Sequence, residues 1–533
     1  MKRTILILTV IIFIASFLRL YKLDQNPPSL YWDEASLGYN AFATATTGHD
    51  EHGEYLPLAR FIAFGDYKPP GYIYTLVPYI KILGLTEFAV RLPSALSGIA
   101  LVLLTFFLVK ELFKNEQVGL IAAFVMAISP WSIQLSRAAF EAHLAALFHM
   151  LAIYLFLRAR KRNWLFLVSF IMFVLSFYTF NANRILAPLF IVFLSLLFFK
   201  EVKQAWKWMV VSVVISAILL IPSVNYLQSR ESRLRFQEVS IFTSLETVEK
   251  ANQRIEQAGN TLLAKIIYNR RVYFARDFLM HYFDHFEGVY LFVHGDQNPR
   301  LSIQDVGELY IAELPFLIIG LFFLLIRPNK SAALIFGWLL LAPIPAATAR
   351  ETPHMLRTAS MLPTLQIMVG FGLWQFWLFI RKKPQLLKAF GILFVSLLYF
   401  GNFYYYQHNF WIHYPQNYSG EWQYGYKQMV EQVNMQEANY DHVYVTPLYG
   451  RPYIYFLFYN RINPLDYVAI RQAERDWYGL WYVNGFGKYI FNNESEFLGR
   501  ILYVEGRGAF NETQKITEVN NLAGDTVFEI GEK

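Results

Sequence analysis

Long apolar runs alternate with short charged breaks along the first three quarters of the chain. A helix crossing about 30 Å of hydrocarbon needs roughly 20 mostly apolar residues. Eleven runs approach that length: Ile5–Leu20, Pro93–Val109, Val118–Ile133, Ala142–Leu157, Trp164–Phe180, Ile185–Phe199, Met209–Ile221, Leu309–Ile326, Ala332–Ala347, Leu362–Ile380 and Ala389–Phe403. The third and fourth are close enough to merge or to re-enter. Met1-Lys2-Arg3 precedes the first run, which has no small-residue cleavage site and reads as a retained signal anchor.

The charged breaks give the runs a direction. With the N-terminus inside, the cytoplasmic connections are 110–117, 158–163, 200–207, 327–330 and 381–388, and every one carries Lys or Arg. That pattern obeys the positive-inside rule, and one missed or invented helix would put alternate clusters on the wrong face. Three polar pieces fall outside: a first loop of about residues 21–92, a second of about 222–308, and a tail from about 404 to 533. The expected organisation is a membrane domain over 1–403 and an extracytoplasmic domain over 404–533. Helical stretches (Glu421–Gln436, Arg451–Tyr459) alternate in the tail with strand-like runs (His442–Thr446, Ile501–Val504, Thr526–Ile530), which predicts a small α/β fold. Apolar faces at helical spacing over Ala35–Thr47 and Tyr72–Leu83 predict amphipathic helices lying along the interface.

Composition narrows the class. Of 533 residues, 55% are hydrophobic and only 16% charged, against about 25% charged in soluble domains, so a soluble monomer, a disordered chain and a nucleic-acid binder are all excluded. The net charge of +7 needs no anionic partner, since membrane proteins gather cations on their cytoplasmic side. With no cysteine, disulfides, thiol catalysis and thiolate metal sites are ruled out.

Chemistry-bearing residues gather at the outer helix ends and in the outer loops. The first loop opens with Tyr31-Trp32-Asp33-Glu34, continues through Gly48-His49-Asp50-Glu51-His52-Gly53-Glu54 to Lys68-Pro69-Pro70-Gly71-Tyr72, and closes with Arg91-Leu92-Pro93-Ser94-Ala95. Ser136-Arg137-Ala138-Ala139-Phe140-Glu141 and Pro353-His354-Met355-Leu356-Arg357 stand at other outer positions. Two groups have metal-like composition: His49 and His52 among Asp50, Glu51 and Glu54, and His281 with His285 near Asp277 and Asp284. Each needs a converging third ligand. Without one, the first is a polar loop and the second an interfacial amphipathic helix. Asn493-Glu494-Ser495 and Asn511-Glu512-Thr513 fit a glycosylation sequon that is also frequent by chance.

The order of these motifs against the helices resembles the GT-C membrane glycosyltransferases, in the branch holding protein O-mannosyltransferases and bacterial lipid A aminoarabinose transferases. The likeness is strongest over about residues 1–200 and weaker in the second loop; no motif of the tail is placed. It implies an all-α polytopic fold with a small outer α/β domain, in the cell membrane. It also implies inverting transfer of a mannose-like or other sugar from a polyprenyl-phosphate donor, on the non-cytoplasmic face, to a protein, polysaccharide or glycolipid hydroxyl. Asp33 matches the family's acidic position and is the expected base, with Glu34 orienting the acceptor or Asp33 itself. Lys68, Arg91 and Arg357, then Arg137 and Arg184, are the expected contacts to the donor phosphate. His294, Arg300, His354, Glu141 and Tyr72 are secondary pocket candidates. The resemblance makes no cofactor certain and leaves a divalent cation open, because metal dependence varies among GT-C enzymes. Plainer readings fit the same residues: solvated loop acids, and cations anchored to lipid headgroups. The alternative function is a multi-span transporter or lipid flippase, disfavoured by the scarcity of acids within the spans.

Overall fold

The computed structural model describes residues 2–64, 66–475, 481–492 and 498–533. The eleven apolar runs fold mainly as helices, the third as a bent pair, but fewer than the eleven expected spans are long enough to cross a membrane. Among the described residues, seven helices are long and apolar enough to cross a membrane: Lys2–Leu20, Glu87–Phe113, Glu141–Ala159, Trp206–Gln228, Lys330–Thr348, Ala359–Ile380 and Gln385–Tyr418. The pair Glu116–Ile128 and Pro130–Arg137 passes the same test together but is bent by 54°, the shape of a broken span or of a re-entrant loop. The bend falls at Pro130, whose ring and missing N–H cannot continue the preceding helix. Leu165–Thr179, Asn183–Leu197 and Ile311–Ile326 are apolar but shorter.

The chain divides into two compact units. The first comprises Met1–Ala15, Gly98–Gln134 and Ala142–Tyr406. Its tightest helix contact is between Leu314–Ile326 and Thr364–Ile380. A β-carbon on Gly320 would lie 2.0 Å from the Met368 carbonyl oxygen, and one on Gly372 would lie 1.9 Å from that of Phe316. Both glycines let backbones touch, as small residues do between apolar helices that gain little from burying side chains in lipid. Val125, Phe316 and Val369 form a buried cluster around this contact. The loop of about residues 222–308 is largely helical, with Arg230–Val239, Leu245–Gln257, Leu262–Ile267, Arg270–Asp284 and Gly288–Phe292.

The second unit comprises Ser16–Ser97, Leu135–Glu141 and Gln407–Lys533. Its described strands form a hairpin, Phe61–Ala63 with Asp66–Lys68, and a seven-stranded sheet. The sheet runs Arg471–Arg475, Trp481–Phe486, Tyr489–Ile490, His442–Val445, Ile501–Glu505, Thr526–Gly531, Lys515–Asn520. His442–Val445 pairs in parallel with both neighbours, and every other pairing is antiparallel. The three expected strands are present, joined by four more. The last membrane helix runs on as Gln385–His408, past the expected end at Phe403. The sequon at Asn493 lies outside the described residues.

One expectation of the first loop is corrected. The helix Trp32–Thr47 is not half-exposed along a membrane surface, because ten of its residues are buried. Ala35, Gly38, Ala41 and Ala43 are small enough for neighbours to close in from several sides: a β-carbon on Gly38 would meet Phe458 and Val90, each at 2.7 Å.

Candidate active site

Asp33 and Glu34 occupy the first turn of the helix Trp32–Thr47, whose N-cap is Tyr31. Consecutive helical side chains do not face the same way, so adjacent acids meet different surroundings. Glu34 turns inward and is 2% exposed. It accepts hydrogen bonds from Arg91 Nε (2.9 Å) and Nη2 (3.0 Å), from Ala139 N (2.8 Å) and from Tyr31 N (3.2 Å). Asp33 turns outward. Its carboxylate, with the side chain 38% exposed, pairs with Lys68 Nζ at 2.8 Å.

Lys68 ends the hairpin strand Asp66–Lys68. Pro69 then caps, and Pro70 starts, the helix Pro70–Leu83, so two fixed φ angles hold the backbone behind the ammonium. Tyr72 follows on this helix, fully buried, and donates to the Val90 carbonyl at 2.9 Å. Burial, with the charges of Glu34 and Glu141 adding to it, pushes its phenol well above the ordinary value. Tyr72 therefore stays a hydrogen-bond donor. Glu141 is itself buried, at the start of Glu141–Ala159.

Arg91 and Arg137, expected to contact the donor phosphate, are both wholly buried. Arg91 gives its remaining donors to the carbonyls of Leu23 (3.1 Å), Pro27 (2.7 Å) and Ser29. Arg137 donates to those of Leu18, Tyr21, Lys22 and Asn26, all at 2.7–2.9 Å. A guanidinium carries five donors in a rigid fork. Two of them here gather the carbonyls of the turn that leads from the first helix to Asp33.

The other candidates belong to the first unit. Arg184 lies over the rings of Phe177 (5.8 Å) and Tyr226 (5.3 Å). Arg357 donates to the Glu351 carbonyl at 3.1 Å, Arg300 contacts Asn298 through its own side chain, and the exposed His294 bonds the Gln304 carbonyl. His354 belongs to a buried knot that ties two loops. His285 donates through Nδ1 to the His281 carbonyl and accepts the His354 N–H at Nε2 (3.2 Å), while Asp296 accepts the Met355 N–H at 2.6 Å. Burial lowers His285 to about 4 and raises Asp296 to about 6. It also pushes Glu308 well above, and His354 well below, their ordinary ranges.

Neither metal-like group gathers into a ligand set. Among the described residues, no three His, Asp or Glu side chains are arranged to hold a metal ion. His49 bonds the Thr47 carbonyl and packs on Tyr55, His52 contacts Arg471, and His281 bonds the Ala349 carbonyl. Glu51 is buried, accepting from Asn40, Phe64 N and Tyr453.

Sequence reasoning missed Trp422 and Gln423. Trp422 lies against Arg91, its ring 5.9 Å from the guanidinium carbon, and Gln423 accepts the Trp32 N–H at 3.0 Å. Nothing about a Trp-Gln pair nearly 400 positions downstream signals those contacts.

With its apolar helical bundle, an acid pair just past the first span and a terminal sheet domain, the chain is similar in fold to GT-C membrane proteins. Residues 6–235 match the family model described as dolichyl-phosphate-mannose-protein mannosyltransferase. ArnT from Cupriavidus metallidurans in the apo state superposes with a TM-score of 0.56 at 12% identity, covering 99% of this chain and 97% of that one. The same enzyme bound to undecaprenyl phosphate gives 0.51 at 12% identity, with the same coverage. The apo oligosaccharyltransferase of Archaeoglobus fulgidus gives 0.53 at 14% identity, over 85% of this chain and 63% of that chain, so this chain spans less than two thirds of it. At these identities the structural likeness is one of fold. No curated protein matches the sequence. Fold and apolar helices together support a multi-pass membrane protein.

Proposed function

We propose that the chain is a glycosyltransferase that takes a sugar from a polyprenyl-phosphate carrier and passes it to an acceptor hydroxyl by inversion. The observation that carries this reading is the Asp33–Lys68 pair, a half-exposed carboxylate 2.8 Å from a nearly buried ammonium. Those are the two groups that such a transfer requires. Asp33 accepts the acceptor hydroxyl proton as the new C1–O bond forms, and a placed base contributes about 10²–10⁴-fold. The bond between the anomeric carbon and the phosphate oxygen breaks, and its electron pair leaves on the lipid phosphate. Lys68 meets the charge that grows there.

In the resting state Lys68 is held by Asp33, so donor phosphate competes with Asp33 for the ammonium. Binding of donor thereby uncovers the carboxylate that must act as base. Glu34, Arg91 and Arg137 hold the helix start and its leading turn in place; they do not touch donor or acceptor. Mannose-like sugar and a protein acceptor are the substrates the family description favours, and undecaprenyl phosphate in ArnT supports the carrier class. The cytoplasmic N-terminus, the outward-facing domain from 404 and transfer on the outer face are supported by the positive connections. The test is in vitro transfer from synthetic polyprenyl-phosphate mannose and polyprenyl-phosphate aminoarabinose. Wild type turns over and Asp33→Asn does not. Wild-type turnover by both variants of the pair, Asp33→Asn and Lys68→Ala, would refute the reading.

A further inference from the structure

The acid pair does not hold its own position. The helix Trp32–Thr47 begins with N–H groups that have no partner within the helix. The amide of Trp32, the residue before Asp33, is taken by Gln423 Oε1 at 3.0 Å. That same oxygen accepts from Tyr455 Oη at 2.6 Å, and Tyr455 in turn reaches the Leu30 carbonyl at 3.1 Å. Gln423 Nε2 donates to the Tyr449 carbonyl at 2.7 Å, which places the next residue, Gly450, against Trp32. A β-carbon there would lie 2.0 Å from Trp32 Cζ3, and Gly450 has φ +121°. Only glycine fits, because the indole occupies the space and the backbone is left-handed.

The preceding residue addresses the other acid. Trp422 is fully buried, donates to Tyr414 Oη at 2.7 Å, and lies against the guanidinium of Arg91 that grips Glu34. Two consecutive residues of one turn thus serve two consecutive acids, one through Arg91 and one through the Trp32 amide. The turn is itself rigid: Gln423 N donates to the Gly420 carbonyl at 2.9 Å and Tyr424 N to the Ser419 carbonyl at 3.0 Å.

We infer that Gln423 is a positioning residue for Asp33, with Trp422 and Gly450 supporting it, so that the segment leading into the terminal sheet domain sets the geometry of the reacting carboxylate. This rests on the reading of Asp33 as the base. A misplacement of about 1 Å can cost on the order of 10²-fold in rate without altering which groups are present.

The test is Gln423→Leu against Gln423→Glu in the full-length protein. Leucine removes both bonds of the side chain; glutamate keeps the acceptor for the Trp32 amide, at a helix start where negative charge is favoured, and loses the donor to the Tyr449 carbonyl. The expected result for Gln423→Leu is a fall in kcat of about tenfold or more, with donor KM within about twofold of wild type, and partial recovery in Gln423→Glu. Tyr455→Phe, a milder change, should move kcat the same way by less. A second readout needs no turnover. The chain has no cysteine, so Asp33→Cys can be labelled with a water-soluble maleimide, and Gln423→Leu should change that labelling rate several-fold. Wild-type kcat in Gln423→Leu, or an unchanged labelling rate, would overturn the coupling. Wild-type turnover by Asp33→Asn would overturn the base assignment instead.

Discussion

Arg91→Met separates a phosphate ligand from a scaffold. The arginine is fully buried and the Glu34 it holds is 2% exposed. Removing the guanidinium leaves a buried carboxylate without its counter-charge, a loss of about 3–5 kcal/mol. It also strips partners from the carbonyls of Leu23, Pro27 and Ser29, at about 1–3 kcal/mol for each that water does not reach. The total is at least about 3–5 kcal/mol, or roughly 6–20 °C in melting temperature at the usual conversion of about 2–4 °C per kcal/mol. Thermal unfolding in detergent reads this, with Glu34→Gln and the double variant completing a cycle. The double variant should lose less than the sum of the singles, because no unpaired charge remains. Donor KM measured on the surviving folded fraction should stay near wild type. Wild-type stability of Arg91→Met combined with a raised donor KM would refute the scaffold role and restore the phosphate contact.

Asp33→Asn should retain wild-type melting behaviour and lose about 10²–10⁴-fold in turnover; a loss under twofold in the transfer assay would remove Asp33 from the chemistry. Lys68→Ala should weaken binding of polyprenyl phosphate more than tenfold, with Lys68→Arg intermediate, as read by displacement of labelled lipid phosphate. The loop knot predicts opposing pH effects. Asp296 has a folded pKa raised to about 6, so its contribution falls as pH rises from about 3.9 to 6. His285, lowered to about 4, contributes stability that is lost as pH falls from about 6.5 to 4. The two oppose each other between about pH 4 and 6, so Asp296→Asn should make the slope of stability against pH more positive than that of wild type there, and His285→Gln more negative. Melting temperatures across that window decide it, and parallel slopes in both variants would sink the account. Gly372→Leu should prevent the helix pair around Gly320 from closing; unchanged thermal stability would contradict the backbone contact.

Much of the membrane fold was written in local pattern. Apolar runs of helix length and cationic breaks are decided within a few residues by the solvent each segment meets, so the runs are mainly helical, while their lengths, and the break before Pro130, were less legible. The burial of Trp32–Thr47 was less legible, since its half-apolar face fits a lipid surface as well as a protein interior, and only the packing of Phe458 and Val90 on Gly38 chooses between them. The short strands of the terminal domain, Tyr489–Ile490 among them, carry too little alternation to stand out, and they form because His442–Val445 offers a parallel edge. At the site, Asp33 and Lys68 were readable as residue types suited to the chemistry. The inward turn of Glu34 and the burial of Arg91 depend on partners 57 to 105 positions away, and no spacing rule reaches that far.

Under the proposed function, the contact between Asp33 and Lys68 also bears on the order of arrival. In the empty site the carboxylate is paired with the ammonium at 2.8 Å. A lipid phosphate that claims the lysine would then come first, and the acceptor hydroxyl that needs the freed carboxylate second.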